Sequence, residues 1–185
     1  MSAHFQVSEI GFFSLEQWPV TVCAWRGCCI EVFARAEHSV ADCLDVLEKA
    51  GLGLTKDAHH LGAVARLRAL DECLSRYTFG GHEKAARKRI EDWQKHCDSR
   101  NFLAHAKLRA TQNGIAIEPI KLAIRKDMAP PPKALTRIEM LELLARLERS
   151  QLLLHHQLGQ IKALAAEAKP VANTKKTPNP GSNPG

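Results

Sequence analysis

From Val22 to Leu47 the apolar residues Val22, Trp25, Cys29, Phe33, Ala36, Val40, Leu44 and Leu47 recur at steps of three and four. That spacing places them on one side of a helix with 3.6 residues per turn, so the segment predicts one long amphipathic helix. A stripe of this length has to be buried against other elements, and that demand constrains the fold more than any other feature. Pro19 suits the opening of the helix, and the Gly51–Leu52–Gly53 stretch suits its end.

The rest of the chain supplies partners of the same kind. Ala63, Leu67, Leu70, Leu74 and Tyr77 predict a second helix over about 57–77, which Gly80–Gly81 breaks. A third helix begins near His82 with the stripe Ala86, Ile90, Trp93 and Cys97. The last spans about 135–168 and carries Met140, Leu143, Leu147, Leu154, Leu158, Ile161 and Ala165 at heptad-like steps. Between the third and last helices the period falls to two. Ile120, Leu122 and Ile124 alternate there, and Asn113–Gly114 is a turn signal, so a small β-hairpin is expected at about 107–126. The expected architecture is all-α, a four-helix-type bundle with a β-hairpin insertion before the last helix. Residues 1–14 read as an N-terminal arm, 15–168 as one helical domain, and 169–185, rich in Pro, Asn and Gly, as a disordered tail.

With 185 residues the chain is long enough for one sizeable core. No apolar run approaches the eighteen or so residues of a membrane span, and the first residues lack a basic segment followed by an apolar one, so a cytoplasmic protein is expected, with no membrane partner. The six cysteines show no C-x-x-C pair, and Cys23, Cys29 and Cys43 sit among apolar residues; reduced thiols acting as small hydrophobes are expected. His59–His60 and His155–His156 lack a metal-ligand spacing, so neither a metal nor a cofactor is expected. The net charge of +6 is compatible with an RNA partner.

One stretch breaks the pattern. Continuing the third helix's stripe by three or four residues reaches Arg100 or Asn101, and His105 follows. Asn101 and His105 are four apart and share a helix face, while Arg100 lies roughly 100° round. Polar groups on a core face cost about 1–3 kcal/mol each if unpaired, so they need partners or a purpose. One account is a structural network in which Arg100 pairs with an acid of the first helix, among Glu31, Glu37, Asp42 and Asp45. The other is a reactive site. Arg100, Asn101, Ala104, His105 and Ala106 match, position by position, a frequent form of the motif of the HEPN family (higher eukaryotes and prokaryotes nucleotide-binding domains). The chain resembles that family also in its helical segments and in the motif's place late in a helix after a glycine break.

The resemblance implies a metal-independent ribonuclease working as a homodimer, in which two Arg/His sets share a cleft. The residue types fit that chemistry. Cleavage through the 2′-hydroxyl needs a proton acceptor, a proton donor and positive charge at the phosphorane. An imidazole serves the first two near neutral pH, and a guanidinium presents a planar fork to phosphate oxygens. The expected catalytic residues are thus Arg100, Asn101 and His105. The basic run Lys84, Arg87, Lys88 and Arg89 is the candidate landing site for RNA, set against a merely solvated helix face. The resemblance further implies a toxin-like or defence-related role, with an antitoxin or a nucleotidyltransferase as partner. The alternative is a catalytically silent module of the same family, binding nucleotide, RNA or a protein.

Overall fold

A computed structural model of the chain describes residues 18–52, 56–118 and 133–171. The long stripe becomes α1, Trp18–Lys49, and all eight of its apolar positions are buried. Its end is set by Gly51, whose φ of 75° lets the chain reverse so that Leu52 N donates to the Leu47 carbonyl. A single 3₁₀ turn, Ala58–His60, leads to α2, Ala63–Arg76, which buries Leu67, Leu70, Cys73 and Leu74. Gly80 and Gly81 adopt φ of 62° and 92°, a conformation that terminates the preceding segment. Helix α3, His82–Gln94, then starts with its Glu83 carboxylate accepting from the Phe79 and Gly81 amides at 2.9 and 3.2 Å. After a break at Lys95–His96 comes α4, Cys97–His105. The closing α5, Arg137–Ala163, opens on a capping box formed by Thr136 and Glu139.

The core lies where α1, α3 and α5 meet. Trp25 Nε1 donates to the Met140 carbonyl at 2.8 Å, and Ser39 Oγ lies 3.0 Å from His155 Nδ1, so α1 and α5 are cross-tied along their length. Phe33 packs against Trp93 with ring centroids 5.5 Å apart, joining α1 to α3. Along α5 the buried face runs through Leu144, with Leu143 at its margin.

The expectation of an all-α bundle with one hairpin is overturned. About 74% of the described residues are helical, but they are accompanied by two antiparallel sheets, so the chain is mixed α/β. Strands β2, Lys107–Thr111, and β3, Gly114–Glu118, form the hairpin, and β4, Lys133–Thr136, adds a third strand on β3. Strand β1, Tyr77–Thr78, pairs with β5, Lys169–Pro170, and ties the chain beyond α5 to the end of α2. The reason is physical. Strands of two to four residues are too short to show a period, and β1, β4 and β5 exist because a distant partner satisfies their amides. The hairpin's turn residues are Gln112 and Asn113, while Gly114 already pairs with Thr111. Gly114 is needed for space: a Cβ there would lie 1.9 Å from the Leu135 carbonyl oxygen of β4. Ile120, Leu122 and Ile124, assigned to the hairpin from their alternation, fall outside the described residues, as does the arm at 1–14 and the chain beyond 171. Among the described residues no helix is long and apolar enough to cross a membrane.

Candidate functional site

Helix α4 is nine residues long, and its only buried side chain is Leu103. The break at Lys95–His96 resets the helical phase, so the core stripe passes from Trp93 to Leu103 and then to Ala106. Arg100, Asn101 and His105 are thereby moved off the core stripe where the continuous third helix had placed them. Arg100 is half-buried, while Asn101 and His105 are exposed, one turn apart on one face.

Two interactions from α1 hold this short helix. Arg100 Nε donates to Glu37 Oε1 at 3.2 Å, which selects Glu37 among the four acids that could have partnered it. Arg26 Nη2 donates to the Ala104 carbonyl at 2.8 Å, placing a cation on the C-terminal turn, where unpaired carbonyls carry partial negative charge. The next residue, Ala106, turns to an extended conformation and is itself buried, so His105 stands at the junction of α4 and β2. Its side chain has no hydrogen-bond partner among the described residues.

Glu37 serves a second cation. Its Oε2 accepts from Arg66 Nη2 at 3.2 Å, so one carboxylate bridges the guanidiniums of α2 and α4. Neither Arg66 nor Arg26 stands out in the sequence, because each lies within a helix whose exposed positions are commonly charged; only the tertiary pairing reveals them. Around the bridge runs a groove of about 390 Å³, walled by α1, the start of α2, and the α3–α4 break, with Arg66, Arg100 and Asn101 on its lining. His105 is not part of that lining. The structure therefore brings Arg100 and Asn101 to one concavity and leaves His105 beside it on the outer surface.

His96, at the α3–α4 break, packs edge-on against Trp93, and burial holds its pKa below the ordinary imidazole value, with Arg146 adding to the effect. Of the basic run, Arg87 is paired with Asp71 through two bonds of 2.8 and 3.3 Å, Lys88 with Glu91 and Asp92, and Arg89 with Asp92 at 3.9 Å. Lys84 is exposed and has no ion pair among the described residues. The run is thus a largely neutralised helix face. Among the described residues no group of three or more His, Cys, Asp or Glu is placed to hold a metal ion. His59 faces Glu48 at 3.4 Å, and His155 is engaged by Ser39. All six thiols are free; Cys29, Cys43 and Cys73 are buried, whereas Cys23 and Cys28 are exposed. No protein-family model, no curated protein and no solved structure matches this chain.

Proposed function

We propose that this chain is a metal-independent endoribonuclease of the HEPN type, acting as a homodimer whose two Arg100/His105 sets line one RNA cleft. The observation that carries the reading is the division of labour on α4: Arg100, tethered by Glu37, and Asn101 line a groove, while His105 stands exposed beside it, one turn on from Asn101. A tethered guanidinium keeps unused N–H donors in a fixed orientation for a phosphate. An exposed imidazole is accessible to a 2′-hydroxyl or to a leaving 5′-oxygen. Asn101, four residues before His105, is spaced to orient the ring or to bond the phosphate. One chain supplies a single histidine at this place, and a second copy would supply the other half of the acid–base pair. A toxin-like or defence-related role, with an antitoxin or nucleotidyltransferase partner and cytoplasmic action, belongs to the same reading.

The test is cleavage of total RNA by the purified protein in EDTA, wild type beside His105→Ala. Cutting by the wild type alone, leaving 2′,3′-cyclic phosphate ends, is expected. No cutting by either would end the nuclease reading. A second reading is favoured by the separation of His105 from the groove that Arg100 and Asn101 line: a catalytically silent module that binds nucleotide, RNA or a protein partner. It predicts that both proteins leave RNA intact.

A further inference from the structure

The first half of α1 is uncharged on its outer side as well as on its core side. From Trp18 to Ile30 its one charged residue is Arg26, and that side chain is turned onto the Ala104 carbonyl of α4. Trp18, Val22, Trp25 and Cys29 fill the core, yet Val20, Cys23, Ala24, Gly27 and Cys28, away from it, are all exposed. A helix that is hydrophobic all round is normally covered all round, whereas a solvated face carries charge. Further along, α1 follows that rule, and Glu31 and Arg35 pair on its surface at 2.9 Å. Across the Trp25–Met140 bond, α5 adds Ile138 and Leu141, 70% and 40% exposed, to the 70% exposed Val20. These seven residues present on the order of 500 Å² of uncharged surface, near the upper end of what a lone protein shows in one patch and most of the area one partner buries in a stable complex.

We propose that this face docks a second copy of the chain, the two α1 helices running antiparallel and crossing at Gly27, so that each copy brings its His105 to the other's site. The catalytic role of the second copy rests on the nuclease reading above; the uncharged face does not. A Cβ on Gly27 meets nothing within 4 Å, so a second backbone can approach closely there. Val20 and Ala34, seven residues to either side of Gly27, are both exposed, and a two-fold axis beside Gly27 sets each against its opposite number. The Arg26–Ala104 bond ties the end of α4 to α1 one residue from that crossing. An antiparallel pair therefore carries both α4 helices on the same side of the interface, with the two His105 side chains at its rim. A parallel pair would put them on opposite sides, and a site with one histidine would stay incomplete.

Gly27→Arg puts a charge at the crossing, and Ala24→Arg puts one a turn before it. Arg is the better helix former at position 27 and has open space there, so Gly27→Arg is expected to keep the helix content seen by circular dichroism. The experiment follows the mass of the full chain by sedimentation velocity over a range of concentrations, and cleavage of total RNA in EDTA, for wild type and both variants. Wild type is expected to form a dimer as concentration rises, and each variant to weaken it about tenfold or more, because an arginine would have to be desolvated in an apolar interface. Alkylation of the exposed Cys23 is expected to slow with concentration in wild type and not in Gly27→Arg. A wild type that stays monomeric, or variants that dimerise as it does, would overturn the proposal. So would a monomer whose Cys23 is protected at every concentration, since the chain's own residues would then cover the face. If the variants are monomeric and still cut RNA as wild type does, the contribution of a second His105 falls. If wild type cuts and both variants remain dimeric, the interface falls and the nuclease stands. If the variants lose the dimer but wild type never cuts, the nuclease falls and the interface stands.

Discussion

Replacing Glu37 by Gln keeps the size of the side chain and removes the charge that joins three helices. In the native protein its two oxygens accept from Arg66 and Arg100 at 3.2 Å each, and the side chain is 24% exposed. The two pairs do not weigh equally. Hydrogen bonds to charged groups contribute about 1.5–3 kcal/mol when shielded from solvent, and the Arg66 pair, mostly buried, belongs near 1.5–2 kcal/mol. The Arg100 side chain is 39% exposed, so screening reduces its share to about 0.5–1 kcal/mol. Gln still accepts one hydrogen bond through its amide oxygen but leaves two like charges facing each other, so the expected loss is about 2–3 kcal/mol. For a chain of this size, 1 kcal/mol shifts the melting temperature by about 2–4 °C, which puts the drop at roughly 4–12 °C by calorimetry or circular dichroism. A double-mutant cycle with Arg66→Gln and Arg100→Gln should give the larger coupling to Arg66. A melting temperature lowered by less than about 2 °C, or a larger coupling to Arg100, would refute the reasoning.

Gly114→Ala should destabilise the protein by about 2–3 kcal/mol or more, because its Cβ would lie 1.9 Å from a backbone oxygen and β4 has to move away; a melting temperature equal to wild type would contradict the close approach. Thr136→Ala removes the side-chain half of the capping box on α5 and should cost about 1 kcal/mol, read by urea denaturation. The same box holds the Glu139 carboxyl below the usual carboxylate range, chiefly through the Thr136 amide. Its contribution is therefore present above the unfolded carboxylate value and is lost as pH falls through the lowered one, and Thr136→Pro, which lacks that amide, should flatten the acid limb of the stability curve. Burial pushes the Cys29 and Cys43 thiols up to about 12 and Cys73 up to about 11. In the native protein at mildly alkaline pH, an alkylating reagent followed by mass spectrometry should modify the exposed Cys23 and Cys28 and spare these three. Because their folded values are raised, the thiols' contribution is full below pH 9 and fades between 9 and 12, so stability should decline over that window.

The correspondence between sequence and structure is closest where a period is long enough to read. The stripe from Val22 to Leu47 is buried in full within α1. Leu67, Leu70 and Leu74 in α2, and Ala86, Ile90 and Trp93 in α3, are buried as their spacing implies. The site was legible in part. Arg100, Asn101 and His105 drew notice because they interrupt an apolar stripe, and an acid of α1 was expected for Arg100. Their orientation was not legible, since the break at Lys95–His96 carries neither Gly nor Pro, and a continuous helix put them on the core side.

Local sequence by itself determined which segments become long helices, because periodic apolar side chains need only the geometry of their own helix to line up on a face. It also carried the turn signal near Asn113 and the chemical character of α4, while the strand expected from Ile120, Leu122 and Ile124 lies outside the described residues. Tertiary structure decided what depends on residues far apart in the chain. Glu37, rather than Glu31, Asp42 or Asp45, meets Arg100 because of how α1 lies against α3 and α4, with Phe33 on Trp93 and Arg26 on the Ala104 carbonyl. Arg66 joins the same carboxylate from 29 residues away. The strands β1, β4 and β5 pair across distances no local signal spans, and Gly114 is required by the approach of β4. Periodicity is a property of one element; charge pairing and short strands are properties of two, and two elements meet only once the core has formed.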